Sequence, residues 1–85
     1  MSARNRILVV EDDASILDLI CMNLEAAGYE TIAVGDGLEA ERLLRENGPD
    51  TADGALVDIM LPGKDGFELM EDFKKQGIPV LYLTA

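Results

Sequence analysis

The sequence predicts an α/β fold built on a doubly wound parallel sheet, with elements in the order βαβαβαβ. Three observations predict it. Short apolar runs rich in β-branched residues alternate with segments of helical periodicity. The connections between them are brief, as in right-handed crossovers that lay helices on both faces of a parallel sheet. Carboxylates follow two of the apolar runs directly: Glu11-Asp12-Asp13 after Ile7–Val10, and Asp58 after Ala55-Leu56-Val57. In sheets of this kind, ligands bind beyond the carboxyl ends of the strands.

Each element has its own signal. Ile7–Val10 is continuously apolar, as for a strand covered on both faces. From Ser15 to Ala27, Ile16, Ile20, Leu24 and Ala27 recur at helical spacing, and Leu17 and Leu19 widen the stripe. Gly28 supplies the stop. Tyr29–Val34 is a second strand. Asp36-Gly37-Leu38-Glu39 resembles a capping box with Asp in the capping position. The helix it opens carries Ala40, Leu43 and Leu44 and ends near Asn47-Gly48-Pro49. Ala55–Val57 is the third strand, and Pro62-Gly63 breaks the chain after it. Asp65-Gly66-Phe67-Glu68 opens a third helix with Phe67, Met70 and Phe73 on one face, expected to be core, and Gly77 stops it. Val80–Leu83 is the fourth strand.

Composition narrows the function classes. A chain of 85 residues holds one small domain, and 48% hydrophobic residues are too many for a disordered polar chain. Seventeen acidic against 7 basic residues give a net charge of −10. That balance disfavours direct contact with nucleic acid or anionic lipid and suits a divalent cation or a basic partner. No apolar run approaches membrane-spanning length, and the N-terminus lacks a signal-peptide pattern. The lone Cys21 cannot form an internal disulfide and suits a small packing residue, so a reducing cytoplasm is the expected compartment.

If the first and third strands are neighbours, Glu11, Asp12 and Asp58 meet at one edge. Carboxylates ~5 Å apart at an effective dielectric of about 20 repel by on the order of 3 kcal/mol per pair. Either one keeps its proton or a cation sits among them. Magnesium suits such a site, because it takes oxygen ligands from one or two carboxylates together with phosphate oxygens. A phosphoryl donor there would present its phosphorus to Asp58, and a carboxylate can attack phosphorus to form an acyl phosphate. Thr84, at the end of the fourth strand, offers a hydroxyl to a phosphoryl oxygen. Taken singly, each residue has a plainer role: Asp13 as a helix N-cap, Asp58 as a solvated loop acid, Thr84 as an ordinary strand threonine, Lys64 as a loop charge. Their conjunction at successive strand ends is what points to phosphoryl chemistry.

The stretches Ile7-Leu8-Val9-Val10-Glu11-Asp12-Asp13, Val57-Asp58-Ile59-Met60-Leu61-Pro62-Gly63-Lys64-Asp65-Gly66-Phe67-Glu68-Leu69 and Pro79-Val80-Leu81-Tyr82-Leu83-Thr84-Ala85 resemble the receiver domain of two-component response regulators. The middle stretch is most similar to receivers that precede winged-helix DNA-binding domains. The resemblance implies a flavodoxin-like fold and signal transduction by phosphorelay. Asp58 would be the phosphoacceptor, charged by a sensor histidine kinase with Mg2+. Asp12 would be a direct metal ligand, Glu11 its acidic neighbour, Met60 a ligand through its backbone carbonyl, and Thr84 the switch hydroxyl.

The family fold has a fifth strand, bearing a lysine and a read-out aromatic, and two further helices. The resemblance therefore implies that residues 1–85 are the N-terminal portion of a receiver domain, impaired in switching. A homodimer, or association through the apolar edge Val80–Leu83, is expected of such a portion. No turnover enzyme is expected, only an aspartate that gains and loses a phosphoryl group. Two other readings compete: an interaction module whose site is inactive, and a phosphatase of the haloacid dehalogenase type. The second requires Asp-x-Asp-x-Thr, whereas the corresponding stretch here is Glu11-Asp12-Asp13-Ala14-Ser15.

Overall fold

Four parallel strands form one sheet in the order β2-β1-β3-β4. The computed structural model describes residues 5–59 and 66–83. Along the chain these are β1 (Arg6–Val10), α1 (Ala14–Ala26), β2 (Glu30–Val34), α2 (Gly37–Asn47), β3 (Gly54–Asp58), α3 (Gly66–Lys75) and β4 (Val80–Leu83). A short 3-10 turn at Gly48–Asp50, which the sequence pattern did not announce, joins α2 to β3. The doubly wound α/β fold expected from the sequence is present, and its element bounds agree to within a residue or two.

The winding reverses at β1. The chain steps from β1 outward to β2, then back across β1 to β3 and on to β4. Right-handed crossovers in opposite directions place α1 on one face and α2 and α3 on the other. Strand alternation agrees with this. Leu8 and Val10 of β1, Ala55 and Val57 of β3 and Val34 of β2 join Ala40 and Leu44 of α2 and Leu69 and Phe73 of α3 in one buried cluster. Val9, fully buried but outside that cluster, faces the α1 side.

Local chemistry sets the helix ends. Asp36 accepts a hydrogen bond from the Glu39 backbone N–H at 2.8 Å, the capping-box half that its sequence position predicts. Gly28 (φ +97°) and Gly77 (φ +73°) follow α1 and α3 in left-handed backbone. A Cβ at either would meet no atom within 4 Å, so the requirement there is conformational. The 3-10 turn has its own anchor. The Thr51 hydroxyl, buried, donates to the Gly48 carbonyl at 2.7 Å.

Two expectations about the core need correction. The stripe Phe67, Met70, Phe73 is not uniformly core: Phe73 is fully buried, Met70 is half-buried and Phe67 is 55% exposed. Helical spacing places all three on one side of α3, but the residues of this helix that reach the core cluster are Leu69 and Phe73. Likewise Ile16 is 46% exposed, and α1 buries none of its residues fully among the described residues. Its main contacts are with β1 and β2, and Ile16, Leu19 and Met22 remain exposed. No helix among the described residues is long and apolar enough to cross a membrane.

This packing predicts unequal costs for two phenylalanines on one helix. Phe73→Ala should lower unfolding stability by about 3–5 kcal/mol, whereas Phe67→Ala should cost about 1 kcal/mol. Urea denaturation measures both, and equal losses would contradict the burial pattern.

Candidate functional site

The site is made by neighbouring strand tips. Val10 of β1 pairs with Val34 on one side and Val57 on the other. One residue further on, Glu11 and Asp58 stand side by side at the point where the strand order reverses, the usual ligand position in such sheets. Glu11 is held there by its backbone N–H, which donates to the Val34 carbonyl at 3.1 Å. Asp58 is the last residue of β3 rather than the first after it, and it is in register with Leu83 of β4.

Carboxylate oxygens of Glu11, Asp12 and Asp58 all lie within 4.8 Å of one another. Glu11 is only 5% exposed, Asp58 is half-buried and Asp12 faces solvent. Asp13 does not join them. Its Oδ1 accepts from the Ser15 and Ile16 backbone N–H groups at 2.9 and 3.1 Å, so it is the N-cap of α1. The Asp13 backbone N–H in turn donates to Glu11 Oε1 at 3.1 Å, which orients the Glu11 carboxylate.

Burial pushes the Glu11 carboxyl above its ordinary value of 4.5. The hydrogen bond from the Asp13 N–H works against this, while the charge of Asp58 and side-chain hydrogen bonds with Asp12 and Asp58 add to the rise. Carboxylates this close repel one another, and a cation among them would relieve that repulsion. The donors fit magnesium: every one is a carboxylate oxygen, and the chain contains no histidine.

Of the residues singled out in the sequence, Glu11, Asp12 and Asp58 come together, while Met60, Thr84, Lys64 and Asp65 lie outside the described residues. A contact close to the site escaped the sequence reading. Phe67, at the start of α3, meets Tyr82 of β4 edge to face, with ring centroids 5.4 Å apart and planes at 62°. An aromatic on the strand position opposite Val57, next to the acid, was the available signal.

Residues 7–85 match the family description "Response regulator receiver domain". The chain belongs to that family, and its sheet has the flavodoxin-like winding of receiver domains. It is 40% identical over 83 residues to the DNA-binding response regulator MtrA of Mycobacterium tuberculosis, covering 96% of this chain and 35% of MtrA. With the DNA-binding dual master transcriptional regulator RpaA of Synechocystis sp. it shares 42% over 84 residues, 94% of this chain and 34% of RpaA. The chain thus spans about a third of the length of these curated relatives. Among solved structures, the N-terminal domain of a response regulator receiver protein from Methanoculleus marisnigri superposes with a TM-score of 0.82 at 38% identity, covering 94% of this chain and 66% of that one. The BeF3-activated N-terminal receiver domain of Klebsiella pneumoniae RstA gives 0.80 at 33% identity, covering 95% and 70%.

The raised Glu11 carboxyl sets a pH dependence. A carboxyl that holds its proton more tightly when folded than when unfolded weakens folding as that proton is lost. Its penalty is absent below 4.5 and grows as pH rises from there through the folded value. Relative to Glu11→Gln, the metal-free protein should therefore lose stability with rising pH across a window that opens near 4.5. Urea midpoints measured against pH test this, and parallel profiles for the two proteins would contradict it.

Proposed function

We propose that residues 1–85 are the N-terminal portion of a receiver domain, the phosphoacceptor module of a two-component response regulator, and that Asp58 takes a phosphoryl group from a phosphohistidine of a sensor histidine kinase. The observation that carries this is the convergence of Glu11, Asp12 and Asp58 within 4.8 Å at the sheet's switch point. An Asp58 carboxylate oxygen attacks phosphorus, the phosphorus–nitrogen bond breaks, and its electron pair stays on the imidazole. The product is an acyl phosphate on Asp58, which water later hydrolyses to inorganic phosphate and the free carboxylate. Glu11, Asp12, Asp58 and the Met60 carbonyl would hold Mg2+. Bound there, it would offset the negative charge of the phosphoryl oxygens. Thr84 would donate its hydroxyl to one of those oxygens.

A cytoplasmic location belongs to the same reading, because the partner kinase domains and the reduced Cys21 are at home there. The curated relatives MtrA and RpaA are named as DNA-binding, so transcriptional output is proposed for the whole protein. With a net charge of −10, this portion is not itself the nucleic-acid contact. Self-association through Val80–Leu83 is also proposed. Among the described residues β4 is an edge strand, and Leu81 on it is 70% exposed.

Treatment with acetyl phosphate and Mg2+ should add one phosphoryl group by intact mass, and Asp58→Asn should abolish the adduct. Asp12→Asn should weaken Mg2+ binding on the order of tenfold or more. Failure to form an adduct would remove the phosphoacceptor reading, and failure to bind Mg2+ as well would favour an interaction module with an inactive site. For the edge, light scattering should give a mass that rises with concentration, and Leu81→Lys should suppress the rise. A concentration-independent monomer would contradict the edge contact alone.

A further inference from the structure

We infer that a second copy of this 85-residue chain pairs with β4 as an antiparallel strand, about a two-fold axis at Leu81, and that the two α3 helices then pack against each other across the join. This rests on the edge association proposed above and goes beyond it by fixing the direction, the register and the helix contact.

The existing ladder sets the register. Ala55 is in register with Val80, and its backbone N–H donates to the Pro79 carbonyl at 2.9 Å. Successive residues of a strand turn their backbone groups to opposite edges, so Pro79, Leu81 and Leu83 address β3. Val80 and Tyr82 address the other edge, which no described strand occupies. A closed pair of identical chains sets the same patch against itself. Antiparallel strands centred on Leu81 do this with every outward group used: Val80 of each copy exchanges both backbone hydrogen bonds with Tyr82 of the other. Leu81 then faces its own counterpart as a pair without hydrogen bonds, where side chains come closest. Val80 packs on the core cluster, so by alternation Leu81 points to the opposite face, and there it is 70% exposed.

The helices favour the same direction. α3 touches both strands that it joins: Leu69 and Phe73 pack with Ala55 and Val57, while Tyr82 meets Phe67 and Met70. A helix above the gap between two strands lies about 5 Å from an axis just outside β4. Two copies therefore bring their α3 axes to about 10 Å, an ordinary helix-packing distance. Phe67, 55% exposed in one copy, lies on the flank that contacts the edge strand and gains cover there. The two helices run antiparallel. Glu68 in the first turn of one thus lies alongside Lys74 and Lys75 in the last turn of the other, and the helix dipoles oppose. The strand itself, Val80–Leu83, carries no charge, so two chains of net charge −10 meet along it without like charges in contact. The opposite edge, β2, begins with Glu30.

Oxidative cross-linking with diamide tests the register, in a Cys21→Ser background so that the introduced thiol is the only one. Leu81→Cys should give a disulfide-linked dimer, because its Cα atoms come to about 4.5 Å across the axis, within disulfide reach. Leu83→Cys, on the same face, should not, because the two copies of that position are offset by about 13 Å along the strands. Equal yields at the two positions, or more at Leu83, would overturn the register. Association by light scattering with neither position cross-linking would do the same. For the helices, Lys74→Glu combined with Lys75→Glu should weaken association roughly three- to tenfold. Arg42→Glu combined with Arg45→Glu makes the same charge change on α2, away from the axis, and should have a clearly smaller effect; equal effects would overturn the α3 contact. A concentration-independent monomer would instead overturn the edge association itself, and the inference with it.

Discussion

The parallel pairing of β1 with β3 is the constraint on which the site depends. It sets Val10 against Val57, so the next residue on each strand brings a carboxylate to the same tip. Nothing about Glu11 or Asp58 alone favours their proximity; left to themselves, two acids repel. They are held together by the apolar ladder beneath them, where Leu8, Val10, Ala55 and Val57 are all buried against α2 and α3. The core thus supports an unfavourable arrangement at its edge, as strained functional sites commonly require.

The surrounding backbone shares the task. The Glu11 N–H is engaged by β2, the Glu11 carboxylate by the Asp13 N–H, and Asp13 itself by the first turn of α1. One short stretch of sequence therefore ends a strand, presents two acids and starts a helix. Glu11 carries most of the electrostatic tension, because it is the acid that the fold buries. A cation bound at such a cluster would relieve a strain already present in the fold.

Much of this was legible before the structure. Alternating apolar runs and helical periods carried the winding, and the acids at strand ends carried the site, because a parallel sheet lines up its carboxyl ends. Gly28 and Gly77 marked helix stops that only left-handed backbone makes. What stayed illegible depended on tertiary reach. Periodicity put Phe67 and Phe73 on one side of the helix, yet Phe73 is fully buried and Phe67 is 55% exposed, a difference that depends on tertiary packing. Ile16 fits the stripe of α1 equally well, but it is 46% exposed. The cap role open to Asp13 from its sequence position is the one it takes, accepting from the Ser15 and Ile16 N–H groups. The turn at Gly48–Asp50 is held by a buried threonine hydroxyl, a contact with no sequence period.

The claim that Glu11, Asp12 and Asp58 share one cation is tested most directly by paramagnetic broadening in amide NMR spectra. Manganese, which shares magnesium's preference for oxygen ligands, serves as the probe. The account predicts that substoichiometric Mn2+ erases the amide signals of Glu11, Asp12, Asp13, Asp58 and Ile59 together, ahead of all other acidic segments. Broadening that begins instead along the exposed acids of α2 or α3, with the strand tips untouched, would contradict it.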